Sequence, residues 1–381
     1  MSNSGRYTSG KAGQRRRKEE EEDNSAAADM LSSLPEPLLS HILSFLDTKS
    51  AAQTSVLSRA WNSIWKYAPA LDLCRGSSQR ASAFKEFVHE VLSSRSHVNV
   101  RKVTYVDKIA RWSDETDKSV FVEVIQYALS HDVQQLVVDA GSDSTDFRDF
   151  YRFPGMFGSI SNSNLKSLEL NYLVFDTAFV SSGFKMLTSL CLANCALAGE
   201  KGEDLDPFSR FPCLTNLVLR AVEPVGGAVR VCGSQLLCLE LDEMKSFEIE
   251  VFAPKLKFFR LRQRASPQEH LSLTVPSLDH AEVALTRLSL SDIESNFTTW
   301  EEWMRQNFHF LFRGLHNTKS LKLDANVIEV LRRICVFLGR QTSPFRRLES
   351  LIVPTDSLPY ELFHYLFKGS SCEEPCILLD L

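Results

Sequence analysis

Cys372 and Cys376, with three residues between them, lie near the end of this 381-residue sequence. Two thiolates at such spacing can supply half of the ligand set that a zinc ion takes. No partner ligands accompany them. The nine cysteines, at 74, 191, 195, 213, 232, 238, 335, 372 and 376, form no C-x-x-C and no zinc-finger spacing with histidine. Most sit in apolar runs, Cys191 in LTSLCL and Cys238 in LLCLEL, where a thiol acts as a small hydrophobe. The N-terminal stretch has no apolar core of the secretory kind, so the thiols are expected to be reduced. The Asn296-Phe-Thr298 sequon is then expected to stay unglycosylated. The histidines make no H-E-x-x-H, and no G-x-S-x-G elbow, G-x-G-x-x-G or Walker loop occurs. The expectation is a protein that is not an enzyme, with no catalytic residues, no metal and no cofactor.

Tryptophans offer a different chemistry, the anchoring of one surface on another. Trp300 and Trp303 in TTWEEWMRQNF form one helical edge, expected to cover the core. In TSVLSRAWNSIW, residues 54–65, a helix places Val56, Leu57, Ala60, Trp61, Ile64 and Trp65 on one face. The elements that must position this face lie just upstream. Leu34-Pro35 opens a helix, Pro suiting its first turn. Leu38, Leu39, Ile42, Leu43, Phe45 and Leu46 then recur at three- and four-residue spacing, ending near Asp47-Thr48. A short helical turn spans 49–54, and Pro69 closes the unit. Roughly forty residues bury too little surface to stand alone, and these carry more Leu, Ile, Phe and Trp than three short helices can cover. The surplus implies docking onto the rest of the chain or onto a partner.

Composition narrows the partners. Hydrophobic residues make up 44% of the chain and charged residues 24%, ordinary for a water-soluble fold. A net charge of -5 provides no basic field for nucleic acid, and no apolar run nears the ~18 residues that span a bilayer. Neither nucleic acid nor membrane is an expected partner. Residues 1–29 are poor in apolar side chains and are expected to be a disordered tail. Within it, Arg15-Arg16-Arg17-Lys18 reads either as a nuclear import signal or as half of a polyampholyte with Glu19 to Asp23. The expected location is nuclear and/or cytoplasmic.

The stretch LPEPLLSHILSFLDTKSAAQTSVLSRAWNSIW resembles an F-box of the form common in plants. Leu34-Pro35, Ile42-Leu43-Ser44-Phe45-Leu46, Thr54-Ser55-Val56-Leu57-Ser58-Arg59, Trp61 and Trp65 match that pattern in order. Ala60 departs from it, standing where the family usually has a second Arg. The resemblance implies binding to the adaptor subunit of an SCF-type cullin–RING ubiquitin ligase, and through it to cullin. Leu34, Pro35, Leu38, Ile42, Leu43, Val56, Leu57 and Trp61 are the expected adaptor contacts. Ile64 and Trp65 are expected to tie the unit to the remainder of the chain.

That remainder is repetitive. LTSLCLANCAL, from Leu187, fits the leucine-rich-repeat pattern L-x-x-L-x-L-x-x-N/C-x-L at each fixed position. Starts at 165, 187, 214, 236, 256 and 278 give periods of 22, 27, 22, 20 and 22. Further copies start at Val133, Thr318 and Leu348, with a degenerate one at Val100 and Asn326 in an Asn/Cys place. Each phrase predicts a short parallel strand, stacked on its neighbours because one repeat cannot cover its own apolar face. Residues 119–133, 298–315 and 327–340 predict helices behind the strands. A doubly wound α/β domain competes with this view, but the short, irregular period and the missing phosphate loop weigh against it.

The expected fold is an α/β repeat solenoid, a leucine-rich-repeat horseshoe over 71–381, preceded by an all-α F-box unit at 30–70 and the tail at 1–29. The whole resembles the plant F-box/leucine-rich-repeat family, many of whose members add an FBD-type domain. Here the sequence stops at EEPCILLDL, so that domain is expected to be absent or truncated, with an incomplete cap after about residue 368. The resemblance implies a substrate-recognition subunit of a ubiquitin ligase whose repeats hold an unknown protein target. Lys166, Glu169, Thr188, Asn216, Glu240 and Arg260 are the expected target-binding residues. An interaction scaffold whose F-box promotes no ubiquitin transfer is the alternative. A small-molecule sensor would need a pocket that no sequence feature locates.

Overall fold

A computed structural model describes residues 34–57, 61–95, 100–109, 114–141, 150–153, 164–176, 184–199, 206–225, 228–245, 248–264, 270–286, 297–354, 358–372 and 376–380. Residues 1–29, Ala60 and Asn296 lie outside that set, as do the side chains of Trp300 and Trp303.

Every repeat start leads, two residues later, into a strand. The first strands are β1 (Ala70–Cys74), β2 (Lys102–Val106), β3 (Gln135–Asp139) and β4 (Tyr151–Arg152). The central ones are β5 (Ser167–Asn171), β6 (Leu173–Asp176), β7 (Ser189–Ala193), β8 (Ala196–Ala198), β9 (Asn216–Arg220) and β10 (Glu223–Val225). Then come β11 (Val229–Cys232), β12 (Cys238–Asp242), β13 (Glu248–Phe252), β14 (Phe258–Arg264), β15 (His270–Thr274) and β16 (His280–Thr286). The last are β17 (Ser320–Leu323), β18 (Ser350–Val353) and β19 (Cys376–Leu379).

Twelve of these form one sheet in the order β1-β2-β3-β5-β7-β9-β12-β14-β16-β17-β18-β19. Neighbours pair in parallel and in repeat register, Leu168 beside Leu190 and Leu190 beside Leu217. Alternation explains the leucines. The second and fourth side chains of each strand, such as Leu217 and Leu219, are buried on one face. The repeat starts, including Leu165, Leu187 and Leu236, are buried with them. First, third and fifth positions line the other face.

The chain leaves the strands in a shared geometry. Tyr172, Asn194, Ala221 and Glu243, each just past a strand, have φ of 58°, 49°, 48° and 46°. Only Asn is at home in that left-handed region, so the repeat imposes the turn on the others. Cys195 Sγ donates to the carbonyl of Leu170 at 3.4 Å, and Asn326 Nδ2 to that of Leu285 at 2.7 Å. Both side chains of the Asn/Cys position thus tie a neighbouring repeat's backbone.

Helices α4 (Ala81–Ser94), α5 (Glu115–Ser130), α6 (Phe297–Gly314), α7 (Ala325–Gly339) and α8 (Tyr360–Phe367) occupy longer connections. Helices α5, α6 and α7 match the three expected from periodicity. The shorter connections instead carry strands, in sheets ordered β10-β8-β6-β4 and β11-β13-β15. A period of 20–22 residues leaves no room for a full helix, so the return leg pairs with its neighbour. Residues past 368 are better organised than expected: β19 extends the sheet beside β18.

The N-terminal unit holds helices α1 (Glu36–Leu43), α2 (Thr48–Gln53) and α3 (Trp61–Ile64), with 3-10 turns at Thr54–Val56 and Trp65–Tyr67. Asp47 caps α2, accepting from Ser50 N at 2.9 Å, a bond that offsets burial and holds its carboxyl below the usual range. The unit is fused to the sheet. Thr48 Oγ1 accepts from Asp72 N at 2.8 Å, and the Arg95 guanidinium donates to the carbonyls of Trp65, at 2.7 Å, and Ala68. Leu39, Trp61, Ile64 and Trp65 belong to one hydrophobic core that continues through the array to Phe367. The sheet itself starts at Ala70, inside the span assigned to the helical unit.

Candidate functional site

Two surfaces stand out, and the first is the outside of the helical unit. Leu38, Phe45, Val56 and Leu57 are 49%, 76%, 86% and 60% exposed, and Ile42 and Leu46 are exposed beside them. Pro35 is exposed and Leu34 half-buried. So many large apolar side chains on about twenty-five residues exceed what a soluble surface carries by chance. The amphipathic pattern of α1 sends Leu39 and Leu43 inward and leaves Leu38 and Ile42 outward. Two expected contacts need correction: Leu43 and Trp61 are 1% and 3% exposed. The tryptophan stripe faces inward because α3 lies against α1, and Val56 and Leu57 belong to a separate turn that faces out.

The second surface is the open face of the large sheet. Its densest cluster spans β12, β14 and β16. Arg260 donates through Nε to Glu282 at 2.7 Å and through Nη1 to Glu240 at 3.1 Å. Its guanidinium lies 5.3 Å from the Phe258 ring, which stacks on His280 at 5.4 Å and 17°. Burial raises the Glu282 carboxyl, but the bonds from Arg260 and His280 outweigh it and hold the group below its ordinary value. Beside this cluster lie Val218 and Cys191, whose thiol burial pushes up to about 11. Near one end of the face, Asn194 donates to Asn171 at 2.9 Å and Asn171 to Asp139 at 3.1 Å. Arrays of stacked aromatic, charged and amide groups on a fixed register can read another protein.

Glu169, Asn216, Glu240 and Arg260 occupy face-lining strand positions, as expected. Lys166 and Thr188 do not. Each precedes its strand by one residue, so strand alternation assigns it to the opposite parity, and Thr188 Oγ1 instead donates to the carbonyl of Lys166 at 3.0 Å. Phe258, His280 and Glu282 were not foreseen. Their signal was present in register: Phe258 lies two residues before Arg260 on the same strand, and His280 and Glu282 stand opposite Phe258 and Arg260 on the next.

A buried ionic cluster was also unforeseen. Arg75 Nη1 lies 3.2 Å from Asp107 and 2.9 Å from Asp117, and the Tyr105 hydroxyl donates to Asp107 at 3.3 Å. Burial raises the Asp107 carboxyl, with Arg75 opposing it. Both carboxylates are buried and the Arg75 side chain is largely covered, so the cluster joins the ends of β1 and β2 to α5 rather than meeting a substrate. Its members come from three separate segments, which no local pattern links. Among the described residues no group of three or more His, Cys, Asp or Glu is placed to hold a metal, and no helix is long and apolar enough to cross a membrane.

Residues 31–70 match the F-box domain. A putative F-box/LRR-repeat protein of Arabidopsis thaliana is 26% identical over 315 residues, covering 80% of this chain and 62% of its own length. Another F-box/LRR-repeat protein of that plant is 25% identical over 330 residues, covering 80% and 61%. An F-box/FBD/LRR-repeat protein of the same plant is 27% identical over 339 residues, covering 83% and 70%. The chain thus spans about three-fifths of the length of the first two relatives. No catalytic family is indicated. An F-box match at the N-terminus, a parallel sheet phased by leucine repeats, and relatives of 25–27% identity over most of the chain make it similar to the plant F-box/LRR-repeat proteins.

Proposed function

We propose that this protein is a substrate-recognition subunit of an SCF-type ubiquitin ligase, without an active site of its own. Its F-box docks on the adaptor subunit, and through it on cullin, while the open sheet face holds a protein target. The parallel sheet would be the concave wall of a leucine-rich-repeat horseshoe. The work done is proximity: a target bound on the sheet meets a charged ubiquitin-conjugating enzyme at high effective concentration. The observation that carries this reading is the exposed apolar turn and helix face of Leu38, Ile42, Val56 and Leu57, which the protein's own core does not use. Fully burying each such side chain is worth about 1.5–3 kcal/mol. Pro35 and the partly covered Leu34 extend the same face. Leu43 and Trp61 act from beneath, shaping α1 and α3. Glu169, Asn216, Glu240 and Arg260 are the proposed target contacts.

The test is co-purification with recombinant adaptor. Val56→Asp combined with Leu57→Asp places charge on residues already in water, so the fold survives and adaptor capture is lost. Capture that survives this change, or failure of the wild-type protein to bind, refutes the proposal. If adaptor binds and no target of the complex gains ubiquitin, the protein is an adaptor-bound scaffold. A nuclear and/or cytoplasmic location is proposed, and a fluorescent fusion with and without Arg15→Ala, Arg16→Ala and Arg17→Ala tests whether residues 15–18 act as an import signal or only as half of a charge-balanced tail.

A further inference from the structure

The inner face of the large sheet is sealed by its fourth-position side chains, with one exception before the terminal strand. Leu73, Leu170, Leu219, Leu241, Val283 and Leu323 are buried, whereas Leu261 of β14 is half-open. The neighbouring small sheet repeats the anomaly. Val229, Val231, Ile249 and Val251 are buried in β11 and β13, but Leu271 and Leu273 of β15 are not. The two gaps meet in one cavity of about 80 Å³ between β14, β15, β16 and α6. Leu261, Leu271, Val283, Leu285, Phe308 and Leu311 form its walls.

By this measure a single water needs about 10–15 Å³, so the slot takes roughly five water-sized groups. Its walls give such waters few hydrogen-bond partners, which favours an apolar occupant. Here β14 and β16 run to seven residues each, longer than the five of β12. That extension brings Gln263 and Arg264 to the rim, where His270 joins them. Gln263 is committed, accepting from Met244 N at 3.0 Å and donating to its carbonyl at 2.9 Å. Arg264 and His270 make no ion pair among the described residues. The adjoining wider groove carries Glu248 and Glu250, and Glu250 is already held by Arg230 at 2.8 Å.

We propose that this slot binds a small aliphatic carboxylate, its chain on Leu261 and Leu271 and its charge on Arg264 and His270. Apolar walls select the chain, the Arg264 guanidinium at the rim selects the sign of the head group, and the His270 ring offers it a hydrogen bond. The site is distinct from both protein-binding surfaces, and its existence does not depend on the ubiquitin-ligase reading.

The probes are hexanoate and hexylamine, which share an apolar chain and differ in charge. Saturation-transfer NMR on the full chain is expected to show hexanoate binding at a single site and at least fivefold tighter than hexylamine. Arg264→Glu alters an exposed residue, so the fold survives and the preference reverses. Leu261→Phe fills the slot and abolishes binding of both. Equal binding of the two probes, no hexanoate binding, or a preference unchanged in Arg264→Glu overturns the proposal. Should Leu261→Phe fail to fold, the charge reversal decides alone.

Discussion

Arg95 is 1% exposed and holds the F-box to the repeat sheet with no ion-pair partner among the described residues. Replacing it by Met keeps the apolar stem and deletes the guanidinium. Two effects then compete. Burying a cation is costly, and desolvation lowers the pKa of Arg95, so its removal relieves a penalty. Against this, the Trp65 and Ala68 carbonyls cannot be removed with it and are left in a closed site. Each orphaned acceptor costs about 1–3 kcal/mol. The relief is partial, because a guanidinium with bonded Nη atoms has already regained much of its solvation, although its Nε has no partner. The carbonyl loss therefore wins, and Arg95→Met should destabilise the protein by about 2–3 kcal/mol. Arg95→Ala adds a cavity and should cost roughly 2 kcal/mol more. Urea unfolding followed by tryptophan fluorescence measures both, since Trp61 and Trp65 share the affected core. Hydrogen exchange should show the loss concentrated in α1, α2 and α3. An Arg95→Met variant within about 0.5 kcal/mol of wild type, the usual spread among surface substitutions, refutes the reasoning.

The remaining predictions test other contacts. Burial pushes the Cys195 thiol up to about 12, so at pH 8 its thiolate fraction is roughly one in ten thousand. Iodoacetamide should label exposed Cys376 in the native protein and leave Cys195 untouched until urea is added, as read by mass spectrometry. Glu282 is held below its ordinary value in the fold, so its ion pair stabilises above the unfolded pKa and is lost as pH falls through the folded one. Arg260→Ala should raise the Glu282 pKa, seen in a carboxyl carbon NMR titration; an unchanged midpoint would mean Arg260 points elsewhere in solution. A Cβ at Gly314 would lie 2.6 Å from Leu273 Cβ, so Gly314→Ala should cost about 1–3 kcal/mol in thermal unfolding by forcing α6 off β15.

Much of this molecule was legible because its repeats are local. The phrase beginning at Leu187 carries its own strand, its own buried leucines and its own Cys195, and every copy down to Val100 and Thr318 led to a strand two residues on. The F-box was legible for the same reason, since its matches fall within one short segment. Tertiary structure decided what depends on contacts between segments. Periodicity put Val56 and Trp61 on one face, but Val56 lies in a 3-10 turn and Trp61 in α3, and one faces water and the other the core. Strands β1 and β19 carry too little pattern to announce themselves and are recruited by β2 and β18. The return strands replaced helices because the connections were too short, a constraint set by the spacing of neighbours. Arg260 was readable as a surface charge, while its seat between Glu240, Glu282 and Phe258 arises only when repeats about twenty residues apart are stacked in register. The sequence determined the repeating unit and the parity of its side chains; the stacking of unlike units decided which apolar groups were covered, and left Leu38, Val56, Leu57 and Leu261 open.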